Sequence, residues 1–235
     1  MGTSLDVIWV EYLFKKAFMK SLVVIGNSVT IRVKPNTNTP TYAQLVSEHF
    51  EVDLIHLGKG ALLLSEFLKG KTIDSIPTNS HVIINFGIVD MCSRSIPKSL
   101  YDFMMNQDSK YFKKTRKLIR FFENKFRTKL VNLFGQRPWT SIKMYQKEFS
   151  ALIKSLEEKN CSYSILEINT PNNRIEKHLP GSKQRVIELN KALEKDHAII
   201  STKDLDHLQH YPDGIHYNTS GHEVIANKLI TSFSL

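Results

Sequence analysis

Three residues of this 235-residue sequence are of the types and in the places to do chemistry together: Ser28, Asp213 and His216. Ser28 follows Leu22-Val23-Val24-Ile25-Gly26-Asn27. The continuous apolar run reads as a buried strand of a parallel sheet, and Gly26 permits a sharp turn as the chain leaves it. Ser28 is therefore presented at the carboxyl end of a strand, where open α/β sheets gather their ligands. A serine there can be a nucleophile if a base lies within reach. Asp213-Gly214-Ile215-His216 is the stretch suited to supply one. An aspartate three residues before a histidine can fix the ring tautomer and stabilise the imidazolium formed when the ring takes the serine proton. Alone, Ser28 reads as a helix cap; with Asp213 and His216 it reads as a nucleophile.

These residues need a scaffold, and the hydrophobic pattern supplies one. Strands are expected at residues 22–25, 52–57, 81–86, 163–168 and 198–201. The first three end at turns bearing Gly26, Gly58 with Gly60, and Gly87, so the turns should share one edge of the sheet. Helices are expected over 41–50, 61–68, 183–194 and 220–231, and throughout the strand-free stretch 96–159. The expected class is α/β: a flavodoxin-like three-layer sandwich of about five parallel strands, helices on both faces and a basic helical insertion. Residues 19–235 are read as one domain, and residues 1–18 either as an appended helix whose Leu5, Ile8, Val10, Leu13 and Phe14 pack on the body or as a misassigned start.

Hydrophobic residues make up 41% and charged residues 23%, which is ordinary for a soluble globular protein. No apolar run is long enough to cross a bilayer. Asp6 and Glu11 interrupt what would be a signal-peptide core, so a cytoplasmic location is expected. Cys92 and Cys161 imply no disulfide framework and read as buried thiols. His178, His207 and His210 lack a metal-ligand pattern, and no cofactor or metal is expected.

The net charge of +9 is local. Lys110, Lys113, Lys114, Arg116, Lys117, Arg120, Lys125, Arg127 and Lys129 are opposed only by Asp108 and Glu123, with aromatic residues between them up to Phe134. The default reading is the solvated face of a surface helix. Peripheral contact of 110–134 with an anionic membrane and a groove for an anionic substrate come next. Nucleic acid is not expected, because no recognition motif accompanies the charge.

Taken in order, the motifs resemble the SGNH (GDSL-type) hydrolase superfamily. Gly26-Asn27-Ser28 stands for its first block, Gly60 for the second, Gly87 to Asp90 for the third and Asp213-Gly-Ile-His216 for the fifth. Asn169-Thr170-Pro171 and Gly221-His222 also fit; the likeness begins at Lys20 and is least over 95–160. The resemblance implies Ser28 as nucleophile, His216 as general base, Asp213 as its orienting partner, and an oxyanion hole from the N–H groups of Ser28 and Gly60. Two positions depart from the pattern: Asn27 replaces the usual aspartate, and Val89 replaces the asparagine whose side chain completes the oxyanion hole. Loss of such a donor costs roughly 10²- to 10³-fold in rate. Asn27, Val89, Asp90 and Arg94 are assigned to substrate binding, with Arg94 standing in for the lost donor or holding an anionic group. The function implied is a serine esterase that removes an acyl group, acetyl above all, from a carbohydrate or glycoconjugate through an acyl-enzyme. The partner is then a small-molecule or glycan ester. The alternatives are an O-acyltransferase acting on a sugar, and a non-catalytic binding protein weakened at Val89.

Overall fold

Five strands, β1 (Ser21–Gly26), β2 (Asp53–His56), β3 (His81–Asn85), β4 (Ser162–Leu166) and β5 (Ile199–Ile200), pair in parallel in the order β2-β1-β3-β4-β5. The computed structural model describes residues 20–31, 33–35, 38–105 and 110–233; the expected extension over 1–18 lies outside them. Leu22, Val23, Val24 and Ile25 of β1 are wholly buried, as are Val82 and Ile83 of β3. Strands with no polar face need a layer on each side, which places β1 and β3 at the centre. Strand order reverses between them, at the switch point where such sheets hold ligands beyond the strand ends. The register closes with Gly26 opposite Asn85, so the turns after β1 and β3 leave side by side.

The helices are α1 (Ser28–Ile31), α2 (Tyr42–Phe50), α3 (Leu64–Lys69), α4 (Ile88–Met91), α5 (Lys98–Met105), α6 (Lys110–Leu133), α7 (Ile142–Glu158), α8 (Asn173–His178), α9 (Ser182–Leu193), α10 (His207–His210) and α11 (Thr219–Phe233). Right-handed crossovers that run in opposite directions from β1 put helices on both faces. On one face α2 packs against α11; on the other, α3 packs against α7, and α7 against α9. The start of α2 is set by a capping box: Thr41 accepts from the Gln44 amide, and Gln44 Oε1 accepts from the Thr41 amide at 2.8 Å. Along α7, Tyr145, Phe149, Leu152, Ile153 and Leu156 are buried, the spacing of a single apolar stripe.

All five strands lie where the apolar runs predict, and the differences are at the ends. The helix expected from 61 begins at Leu64, because Ala61 takes φ 58° in a turn closed by Leu62 N–H donating to Lys59. The strand expected to reach 168 stops at Leu166. Beyond it, the N–H and C=O of Ile168 are taken by the Asn190 side chain at 3.1 and 2.8 Å. The one-turn helices α1 and α4 and the short α8 and α10 are too brief to leave a periodic signal. Cys92 and Cys161 are free and buried. Among the described residues, no helix is long and apolar enough to cross a membrane.

Candidate active site

At the end of β1 the chain passes unusually close to β3. A Cβ on Gly26 would lie 2.5 Å from the Asn85 carbonyl oxygen and 2.5 Å from Thr30 Cγ2, so only glycine fits. Asn27 is wholly buried; its Oδ1 accepts from the Val29 amide at 3.2 Å and its carbonyl from the Thr30 hydroxyl at 2.8 Å. These short-range bonds fix α1 and leave Ser28, its first residue, half-buried at the sheet edge.

The other side of the site is the loop before α11. Asp213 Oδ1 accepts the backbone N–H groups of Ile215 and His216 at 2.9 and 2.7 Å. Its Oδ2 lies 2.8 Å from His216 Nδ1, and His216 Nε2 lies 2.9 Å from Ser28 Oγ. With Nδ1–H donated to the carboxylate, Nε2 is left to accept the Ser28 proton. Burial raises the Asp213 pKa, but hydrogen bonds from the His216 ring and from the two backbone amides outweigh it and hold the group at about 2. The carboxylate is thus ionised wherever the imidazole can work as a base.

Several residues hold this loop in place. Gly214 sits at φ 88°, and a Cβ there would meet Asn172 Oδ1 at 2.4 Å. Asn169, beyond β4, donates from Nδ2 to the Ile215 carbonyl at 2.6 Å. Asn218 Oδ1 accepts the Gly221 amide at 2.9 Å, opening α11. His222 is wholly buried, and its Nδ1 accepts the Tyr42 amide at 3.0 Å, tying α11 to α2. Of these, Asn169, Asn172 and Asn218 were not among the residues singled out by their chemistry. Asn169 entered only within the Asn169-Thr170-Pro171 motif; for Asn172 and Asn218 a polar residue past a strand or before a helix was the only signal.

Gly60 is carried to the site by continued pairing beyond β2. Leu57 N–H donates to the Val24 carbonyl at 2.9 Å and Lys59 N–H to the Gly26 carbonyl at 3.1 Å. The turn at Gly60 thereby abuts the turn that bears Ser28.

The third turn places its residues differently. Val89 packs partly buried against the core. Asp90 is wholly buried, and its Oδ1 accepts from the Leu64 amide and the Thr140 hydroxyl, both at 3.3 Å. Burial raises its pKa to about 7; Leu64 and Thr140 oppose the rise, Glu148 adds to it and Arg94 opposes it. Arg94 stacks 4.2 Å over the Trp139 ring and donates from Nη2 to the Val89 carbonyl. No hydrogen bond joins Asp90 or Arg94 to Ser28, Gly60 or His216. The structure joins Ser28, His216 and Asp213 by hydrogen bonds, with Asn27 buried next to Ser28 and Lys59 paired to Gly26, and turns Asp90 and Arg94 toward α3, Thr140 and Trp139. A cavity of about 800 Å³ opens beside them, lined among others by Leu63, Glu66, Lys98, Trp139 and Glu148 and by none of the Ser28–His216–Asp213 set. Among the described residues, no group of His, Cys, Asp and Glu is arranged to hold a metal ion.

Solved structures share this architecture. A lipase/acylhydrolase from Enterococcus faecalis superposes with a TM-score of 0.60 at 14% identity, over 92% of this chain and 96% of its own. A member of the G-D-S-L lipolytic family from Desulfitobacterium hafniense gives 0.55 at 12%, over 92% and 99%. The acetyl xylan esterase AlAXEase gives 0.53 at 14%, over 90% and 98%. Comparison with curated proteins finds no match. The sequence model of the GDSL-like lipase/acylhydrolases matches residues 22–229, from the first strand to the last helix. A chain matched over that span belongs to the GDSL-like lipase/acylhydrolase family and is a hydrolase of ester bonds.

Proposed function

We propose that the chain is a serine esterase in which Ser28 is the nucleophile, His216 the general base and Asp213 the residue that orients it. The observation supporting this most directly is the unbroken relay, 2.9 Å from Ser28 Oγ to His216 Nε2 and 2.8 Å from Nδ1 to Asp213. Ser28 Oγ attacks the ester carbonyl as its proton passes to Nε2. The tetrahedral intermediate collapses, the imidazolium protonates the departing alcohol, and an acyl-Ser28 remains. Water, deprotonated by the same imidazole, then releases the acid. The N–H groups of Ser28 and Gly60 receive the oxyanion.

The substrate class we favour is an acetylated carbohydrate or glycoconjugate, as the name of the acetyl xylan esterase among the structural neighbours suggests. The test is hydrolysis of p-nitrophenyl acetate and of acetylated xylo-oligosaccharides by wild type, Ser28→Ala and His216→Ala. Activity in wild type alone supports the relay, and acetate release from the oligosaccharide supports the substrate. One observation favours a second reading, a binding protein with weakened turnover: Val89 offers no oxyanion donor, and Arg94, the residue that could replace it, is engaged with Trp139. Fluorophosphonate separates the two, since an activated Ser28 is labelled and an inert one is not.

A further inference from the structure

Helix α6 shows one inward and one outward side. Inward, Val131 is wholly buried, Glu123 Oε1 accepts from the Ser95 hydroxyl at 2.6 Å, and Thr128 Oγ1 donates to the Lys177 carbonyl at 3.2 Å. Ser95 follows α4 and Lys177 lies in α8, so both ties reach segments that follow the carboxyl ends of strands, on the edge that carries Ser28. Outward, at 100° per residue, fall Leu118, Phe122, Phe126 and Leu133, with exposed Phe121 at the boundary beside Thr128. Their exposures are large for apolar side chains, 56% for Leu118, 58% for Phe121 and 77% for Leu133.

The outward side also carries positive charge. Lys125 and Lys129 are exposed among these apolar residues, and Lys125 Nζ lies 5.9 and 5.8 Å from the ring centroids of Phe121 and Phe126. Glu123 is the only carboxylate between Lys117 and Leu133, and it is turned inward to Ser95. The outer face therefore combines apolar bulk with positive charge and no anion of its own.

That combination selects among partners. A soluble polyanion would satisfy the lysines, and nucleic acid could stack on the phenylalanines, but neither has a use for exposed Leu118 and Leu133. A second copy in two-fold contact would set the lysines against themselves. A bilayer bearing anionic headgroups takes all of them: phenylalanine and leucine enter the headgroup–acyl boundary while lysine stems extend toward phosphate and carboxylate groups. We infer that α6 docks the protein on an anionic membrane surface, with the Ser28 edge of the sheet attached to the docking helix through Ser95 and Lys177.

The test is sedimentation of the full chain with phosphatidylcholine vesicles, with and without phosphatidylserine, at low and high salt. The protein is expected to sediment with the phosphatidylserine vesicles at low salt and less so at high salt. Phe121→Ser/Phe122→Ser and Lys125→Gln/Lys129→Gln should each lose roughly tenfold or more in vesicle affinity. Both variants should hydrolyse soluble p-nitrophenyl acetate as wild type does, which checks the fold. Sedimentation reads binding whether or not Ser28 is the nucleophile, and the Ser28→Ala protein should give the same result. Absence of sedimentation at both salt concentrations overturns the inference. So does undiminished binding by the phenylalanine variant, which would mean a soluble polyanion site. A wild-type dimer that the phenylalanine variant abolishes, without lipid binding, would assign the face to a second copy instead.

Discussion

Asn169 donates to the Ile215 carbonyl at 2.6 Å, joining the segment after β4 to the residue before His216. The Asn169 side chain is 1% exposed and the Ile215 carbonyl half-buried, so Asn169→Ala removes that carbonyl's donor at a cost of about 1 kcal/mol. Because that carbonyl belongs to the loop that aims the imidazole, kcat should fall with little change in KM. Asn169→Asp, whose carboxylate cannot donate, should not rescue it. Thermal unfolding and steady-state kinetics on a soluble ester check both.

Asp213→Asn retains shape and removes the acceptor for His216 Nδ1–H. The ring should then favour the tautomer that presents a proton to Ser28, and kcat should drop by roughly 10⁴-fold with binding preserved. Slowed fluorophosphonate labelling of Ser28 in the same variant would place the loss in nucleophile activation.

On the proposed mechanism, Val89 holds the motif position from which an asparagine would donate to the oxyanion. Val89→Asn should raise kcat, by up to roughly 10²-fold, and leave KM nearly unchanged, because the new bond forms only as charge develops. An unchanged kcat would show that Ser28 and Gly60 already saturate the need.

The two displaced carboxyls make opposite contributions with pH. Asp213, held at about 2, binds fewer protons folded than unfolded; its contribution is full above the ordinary value of 3.8 and is lost as pH falls through about 2. Asp90, raised to about 7, binds more protons folded; its contribution is full below 3.8 and is lost as pH rises through about 7. Asp90→Asn keeps an acceptor for Leu64 and Thr140 without the titration. Its Tm should match wild type at pH 3 and exceed it by a growing margin at pH 5 and pH 8, by calorimetry at the three pH values.

Gly214→Ala tests the loop directly. The added methyl would meet Asn172 Oδ1, and the residue would hold φ 88° without glycine's freedom. The variant should lose stability by about 1–2 kcal/mol and lose more than tenfold in kcat.

What the sequence made legible was governed by local rules. The run at Leu22–Ile25, the glycine after it and the Asp213–His216 spacing each constrain geometry within a few residues, and the sheet order then brings Ser28 to His216. Arg94 and Asp90 show where local reading ends. Arg94 was expected at the substrate, yet Trp139, from the break between α6 and α7, takes its guanidinium. Asp90 was assigned to the same cleft, and its direction follows from Leu64 and Thr140, which nothing in the Gly87–Asp90 motif foretells. Asn169 was noticed only within a motif, because a strand-end asparagine and an ordinary loop asparagine look alike until Ile215 is beside it.

The Ser28–His216 hydrogen bond spans 188 positions of the chain. Closing so wide a loop costs entropy that other structure must first offset, so this contact forms late in folding. On the ribosome, β1 emerges long before the loop that bears the imidazole, and it waits through the synthesis of four further strands. If Ser28 is the nucleophile, the growing polypeptide holds that hydroxyl without a base until translation has passed the loop.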